Sequence, residues 1–383
     1  SSPYRSWFRW SSTKLSQTGP WGQEIWHKSP LRDEYYYGLF WGGMPDLNYE
    51  TPAVVDEMLR VTAHWLKDMH ADGFRFDAIP YLVEDGNQIQ HTRGTHDVLR
   101  RFGSSIRTVS PGSFTIGEES DESPQILATY YPDQLDAYFA FGVAFATIRS
   151  ARDGDATAFT QAVRAANASF PEGRWAPFLA NHDHERVMTQ LGDAGRARVA
   201  ASAMLLLPGM PFVYYGEEIG MVGAKPDETI RTPMQWSATT GAGFTSGKSW
   251  EEPQPDWQTK NVAAQDRDSG SLLNHYRRLI HLRNQHSALD HGALVVGTAS
   301  DAAVAAYVRR SSDETVLVVT NFSARAIPRL SVTLDFGDNA GRLERIYEDP
   351  VNGCGLDAAI STGSVSAGLI APYGLCVFRL IRN

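Results

Sequence analysis

Three short apolar runs of β character each break into a loop at a carboxylate. Gly73-Phe74-Arg75-Phe76 is followed by Asp77, Phe114-Thr115-Ile116-Gly117 by Glu118, and Phe178-Leu179-Ala180-Asn181-His182 by Asp183. An acid at the end of a buried strand is a poor core residue. Three of them, on strands separated by helix-length segments, predict a barrel with the acids gathered at its mouth. Acids so gathered suit glycoside chemistry.

The rest of the chain supports a strand–helix alternation. Residues 1–50 are rich in Trp and Tyr and show neither helical nor strand period. Thr51-Pro52 then opens a helix, with a cap residue followed by proline in the first turn. Val54, Val55, Met58, Leu59, Val61, Trp65, Leu66 and Met69 follow a 3.6-residue period along it. Further strands are expected at 114–116, 135–139, 178–180 and 211–215, with helices between them, as at 157–166 and 196–206. Strand, helix, strand, helix implies a parallel sheet, and five such units are legible. A last helix over 271–285 closes this part. Beyond it, short strands at 303–308, 315–319, 330–334 and 375–378 are bounded by Ser, Asp, Gly and Pro, the pattern of an antiparallel sandwich. The expected domains are residues 1–50, 51–293 and 294–383.

Composition narrows the partners. The 383 residues are 42% hydrophobic and 21% charged, as in an ordinary protein of two or three domains. A net charge of −9 argues against nucleic acid or an anionic membrane. No apolar stretch reaches the 18 or so residues that a membrane span needs. Cys354 and Cys376 form one disulfide or remain two thiols, and spacing does not decide which. The chain begins at Ser1, without a methionine or a signal peptide, so secreted and cytoplasmic locations both stay open.

The chemistry follows from the side chains near each acid. Along a strand Arg75 and Asp77 share one face, with Phe74 and Phe76 on the other. Arg75 would hold Asp77 ionised, as a nucleophilic carboxylate requires; a purely structural salt bridge is the alternative. Glu118 comes straight off its strand, ahead of Glu119 and Asp121 in an acidic loop. As an acid catalyst it would need burial or a neighbouring carboxylate to keep its proton. His182 and Asp183 suit adjacent sugar hydroxyls and a cationic anomeric carbon. His182, Asp183 and His184 could also ligate a metal, but no further His or Cys cluster supports one.

These segments carry a resemblance. Ala71-Asp72-Gly73-Phe74-Arg75-Phe76-Asp77-Ala78, Thr115-Ile116-Gly117-Glu118 and Phe178-Leu179-Ala180-Asn181-His182-Asp183 resemble the second, third and fourth sequence regions of the α-amylase family of glycoside hydrolases. Met44-Pro45-Asp46-Leu47-Asn48 resembles that family's extra region, in the form found between oligo-1,6-glucosidases and neopullulanases. The segment from Leu207 to Gly220 resembles its eighth strand and following loop. Arg231-Thr232-Pro233-Met234-Gln235-Trp236 is similar to a block shared by α-glucosidases and trehalose synthases. The resemblance implies a (β/α)8-type barrel, an inserted domain and a C-terminal sandwich. It implies Asp77 as nucleophile, Glu118 as general acid/base and Asp183 as transition-state stabiliser, with Arg75, His182 and Arg231 as substrate ligands and no metal among the site residues. The implied activity is retaining hydrolysis of α-1,4-glucosidic bonds in malto-oligosaccharides or starch-type glucans, which Ala78 after the nucleophile also favours. A trehalose synthase-type mutase is the alternative enzyme. A catalytically silent partner of an amino-acid transporter is the remote one, since such members lack parts of the triad. The chemistry needs no cofactor, and a structural calcium has little support without the family's first region.

That first region has no counterpart, and only 72 residues precede the strand that carries Asp77. The expectation is therefore an incomplete barrel of about the last five βα units, with Ser1 inside the inserted domain. Parallel strands are normally covered on both faces, so a companion N-terminal fragment or self-association is expected to complete it.

Overall fold

The structure, a computed structural model, describes residues 2–334, 341–355, 359–361 and 364–382. The chain divides into two compact units, one of residues 1–120 and 126–139, the other of residues 121–125 and 140–383.

The first unit begins with a small antiparallel sheet. Its strands β1 (Trp10–Ser11), β2 (Trp26–Lys28) and β3 (Tyr35–Tyr37) lie in the order β1-β3-β2 over a core of Ile25, Trp26, Tyr37 and Leu39. Residues 1–50 are thus not irregular throughout. Strands of two or three residues are too short to display a period in sequence.

Helix α1 (Pro52–Lys67) starts where proline tolerates a first turn. The Thr51 hydroxyl does not cap it, but donates instead to the Ser6 carbonyl at 2.8 Å. Its buried stripe is narrower than the apolar pattern suggests: Val54, Val55, Thr62 and Leu66 are buried, whereas Val61, Trp65 and Met69 are exposed. Helix α2 (Arg93–Val109) is capped by Thr92, whose hydroxyl oxygen accepts the Thr95 N–H at 3.1 Å. It buries Val98, Leu99, Phe102 and Ile106.

Strands β4 (Gly73–Phe76), β5 (Phe114–Gly117) and β6 (Ala137–Phe139) form a parallel ladder in that order. Gly73 is needed where it stands, because a Cβ there would meet the Phe114 carbonyl oxygen at 1.8 Å. The Phe76 ring packs 5.6 Å from Phe102 of α2, the outward, helix-facing orientation that strand alternation predicts.

In the second unit strand β7 is Trp175–Ala176, not 178–180 as expected. Pro177 has no N–H for a ladder, so the buried Phe178, Leu179 and Ala180 form an irregular connection. Residues 211–215 likewise hold no regular strand. The Met210 N–H reaches the Trp175 carbonyl at 3.1 Å and the Phe212 N–H the Pro177 carbonyl at 2.9 Å, but Pro211 between them offers no donor. The expected helices are present as Thr157–Ser169, Ala194–Leu205 and Leu272–Gln285.

The C-terminal strands are antiparallel. Five of them run in the order Gly341–Glu348, Leu375–Arg382, Thr315–Asn321, Val304–Arg310 and Ala293–Val296. Both faces of this sheet are covered. Tyr307, Val318 and Val377 lie in one row and join the core of the Ala194–Leu205 and Leu272–Gln285 helices. Val308, Leu317 and Phe378 form the next row and point to a second core, with Leu330, Val332 and Val365 of a smaller sheet. Continuous apolar runs at 304–308 and 316–319 follow from this double burial. Cys354 and Cys376 are joined as a disulfide inside the second core, with Cα atoms 5.8 Å apart.

Candidate active site

In the first unit the strand register sets the geometry. Phe76 lies opposite Gly117, and the Glu118 N–H continues the ladder to the Phe76 carbonyl at 2.8 Å. Asp77 and Glu118 therefore leave neighbouring parallel strands at matching positions. Arg75 bridges them: Nη1 pairs with Asp77 Oδ1, and Nη2 lies 2.9 Å from Glu118 Oε1. A planar guanidinium is suited to holding two carboxylates at once.

Ala78 supplies the other contact. Its backbone is left-handed, with φ 43° and ψ 44°, and its N–H donates to Glu118 Oε2 at 3.1 Å. The strain of an L-residue in that region is held in place by the next turn, where the Ile79 N–H donates to the Glu118 carbonyl at 3.2 Å. Glu118 thus accepts from a cation and from a backbone donor. Glu119 is buried, whereas Glu118 keeps access to solvent.

The second unit holds the other three residues. Asp183 lies well beyond the end of β7, on a loop shaped by Asn181, whose side-chain oxygen accepts the Asp183 N–H at 2.9 Å and lies 2.6 Å from His184 Nδ1. His182 Nε2 is 3.2 Å from Asp183 Oδ2. His184 packs with Phe141 and Phe145, at ring distances of 5.8 and 5.3 Å, and burial lowers its pKa. It is half-buried against these rings. Arg231 ends the Asp227–Ile230 turn and spends its guanidinium on protein groups. Nη2 lies 2.8 Å from both Asp183 Oδ1 and Asp227 Oδ2, and Nε donates to the His182 carbonyl at 2.8 Å.

The structure accordingly groups Arg75, Asp77 and Glu118 in one unit and His182, Asp183 and Arg231 in the other. No cluster of three His, Cys, Asp or Glu side chains suited to a metal occurs among the described residues. No helix among them is long and apolar enough to cross a membrane.

A family model, the α-amylase catalytic domain, matches residues 1–292. The chain belongs to the α-amylase family. Alpha-amylase 3 of Dictyoglomus thermophilum is 31% identical over 354 residues, covering 90% of this chain and 66% of that protein. The trehalose synthase/amylase of Mycolicibacterium smegmatis is 29% identical, covering 84% and 65%. The chain thus spans about two thirds of the length of these curated relatives. The crystal structure of the α-amylase from H. orenii superposes with a TM-score of 0.80 at 30% identity, over 99% of this chain and 75% of that one. Its solved neighbours are (β/α)8-barrel enzymes of the family.

Sequence reasoning passed over several residues that build this site. No local signal in the sequence announces the left-handed backbone of Ala78. The Tyr214 and Tyr215 hydroxyls donate to the Ile230 and Thr232 carbonyls on either side of Arg231, from a segment whose sequence pattern predicts a strand.

Proposed function

We propose that the protein is a retaining glycosidase acting on α-1,4-glucosidic bonds of malto-oligosaccharides or starch-type glucans. The observation that carries this reading is the Arg75 bridge between Asp77 and Glu118. One guanidinium in contact with both carboxylates keeps them near one another, as the roughly 5 Å carboxyl separation of double displacement requires. In this reading Asp77 attacks the anomeric carbon while Glu118 protonates the departing oxygen. Water, deprotonated by Glu118, then releases the sugar from the covalent intermediate.

In this reading Asp183, paired with Arg231, stabilises the positive charge that develops at the anomeric carbon. Arg75 and His182 contact the sugar. A cluster of aromatics in the first unit supports a carbohydrate substrate. Trp21 lies 5.6 Å from Phe40 and 6.2 Å from Tyr81, and its 63% exposure offers an apolar face for a glucosyl ring.

The similarity to a trehalose synthase/amylase supports a second reading, a glucosyl mutase that converts maltose to trehalose. Incubation of the full-length protein with maltose, maltotriose and isomaltose separates the two. Glucose from the α-1,4-linked substrates supports the hydrolase. Trehalose as the main product from maltose would replace it with the mutase, and turnover of isomaltose alone would overturn the linkage.

A further inference from the structure

Arg231 is held from both sides along its own backbone. The Tyr214 hydroxyl donates to the Ile230 carbonyl at 3.1 Å, and the Tyr215 hydroxyl donates to the Thr232 carbonyl at 2.7 Å. The residues immediately before and after Arg231 are therefore anchored by two successive tyrosines. Between these anchors the Arg231 side chain reaches Asp183 at 2.8 Å.

Arg186 underlies the same pair of rings. It is 1% exposed, its guanidinium carbon lies 4.8 Å from the Tyr214 ring centroid and 4.7 Å from that of Tyr215, and Nη1 donates to the Tyr215 carbonyl at 2.7 Å. A desolvated guanidinium against two aromatic faces is a strong attachment. Arg186 is also three residues from Asp183 in the chain, and its N–H is fixed by the Gly223 carbonyl at 2.9 Å. The contacts close a ring: Asp183 to Arg186 through the chain, Arg186 to the tyrosines, the tyrosines to the backbone around Arg231, and Arg231 back to Asp183.

We infer that Tyr214 and Tyr215 are positioning residues for Asp183, acting through Arg231. They fix where the guanidinium points, and the guanidinium fixes the carboxylate. The inference rests on the reading of Asp183 as the stabiliser of a glycosidase transition state. An interaction used mainly in the transition state shows its loss in kcat rather than in KM. Burial pushes the Tyr214 hydroxyl well above its ordinary pKa, so it stays a donor at any working pH.

The test uses Tyr214→Phe, Tyr215→Phe and the double variant of the full-length protein, assayed on a maltoside well below their melting temperatures. The double variant is expected to lose about tenfold in kcat with KM changed by less than about twofold. In an Arg231→Ala background the same two changes should cost nothing more, because their effect passes through Arg231. An equal loss in that background, or a lowered melting point with kcat intact, overturns the inference. If the wild-type protein turns over no α-glucoside, the glycosidase reading fails on its own, and a crystal structure of the double variant decides the positioning. Displacement of Arg231 Nη2 from Asp183 supports it, and a contact still at 2.8 Å overturns it.

Discussion

Arg75 Nη2 lies 2.9 Å from Glu118 Oε1 while its Nη1 pairs with Asp77, so one guanidinium serves two carboxylates on adjacent strands. Matching strand positions place the acids close together, and the cation offsets the repulsion that this proximity creates. The arrangement gives the two acids different surroundings. The Asp77 side chain is 74% exposed, whereas that of Glu118 is 15% exposed and also accepts the Ala78 N–H.

Division of labour between the acids is testable by donor choice. Asp77→Asn is expected to abolish turnover of all α-glucosides, since no covalent intermediate can form. Glu118→Gln should lose about 10²–10⁴-fold on maltose-type substrates. The loss should be much smaller on a glucosyl donor whose leaving group departs without protonation. Equal losses on both donors would show that Glu118 is not the acid.

Arg75→Lys keeps the charge but not the fork. An ammonium on a flexible stem cannot hold Asp77 and Glu118 together, and a displacement of about 1 Å at reacting groups costs about 10²-fold in rate. The expected outcome is a kcat fall of that order with an unchanged melting temperature. Wild-type kcat in the lysine variant would mean that charge alone is required.

Ala78 stores backbone strain next to Asp77. Ala78→Val places a β-branched residue at φ 43° and is expected to destabilise the fold by about 1–3 kcal/mol. Ala78→Gly removes the strain and should leave stability unchanged or raise it, while loosening the N–H that donates to Glu118. Urea denaturation reads the first effect and kcat the second. Valine tolerated without loss of stability would refute the strained backbone.

Acid stability should be set by a buried network in the second unit. Asp349 accepts both Arg198 Nη2 contacts at 2.9 Å and lies 2.8 Å from His275 Nδ1. Burial lowers the His275 pKa below its usual 6.5. Burial would raise Asp349, but His275, Arg198 and backbone donors more than offset it and hold the carboxyl well below its usual 3.8. For both groups the folded pKa is the depressed one, so the unfolded chain binds more protons on acidification. Their stabilisation is fully present above the unfolded values and is lost progressively as pH falls from those values through the folded ones. The melting temperature should therefore be flat near pH 8, decline from about pH 6.5 as His275 enters, and decline more steeply below about pH 4 as Asp349 does. His275→Gln should remove the upper decline alone. A midpoint independent of pH between 7 and 5 in the wild-type protein would contradict this assignment.

Much of this protein is readable in one dimension. Asp77 and Glu118 stand at the ends of β4 and β5 because apolar runs with β character stop where a charged residue must reach solvent. The helices Thr157–Ser169 and Leu272–Gln285 follow from a 3.6-residue apolar period, and the C-terminal strands from short apolar runs between turn residues. These are local properties of the chain, and local chemistry decides them. The strand expected at 178–180 fell instead at Trp175–Ala176, because ladder pairing depends on which residues keep an N–H and find a partner.

The cysteine pairing, the left-handed Ala78 and the occupation of Arg231 by Asp183 were decided only by tertiary structure. Each depends on groups brought together from distant positions or held by a neighbouring turn: Cys354 with Cys376, Ala78 with Glu118, Arg231 with Asp183. Sequence spacing specifies which side chains a segment presents. Which partner satisfies each of them is set by the packing of whole elements, because a hydrogen bond or ion pair a few ångströms long is decided by the position of its far end.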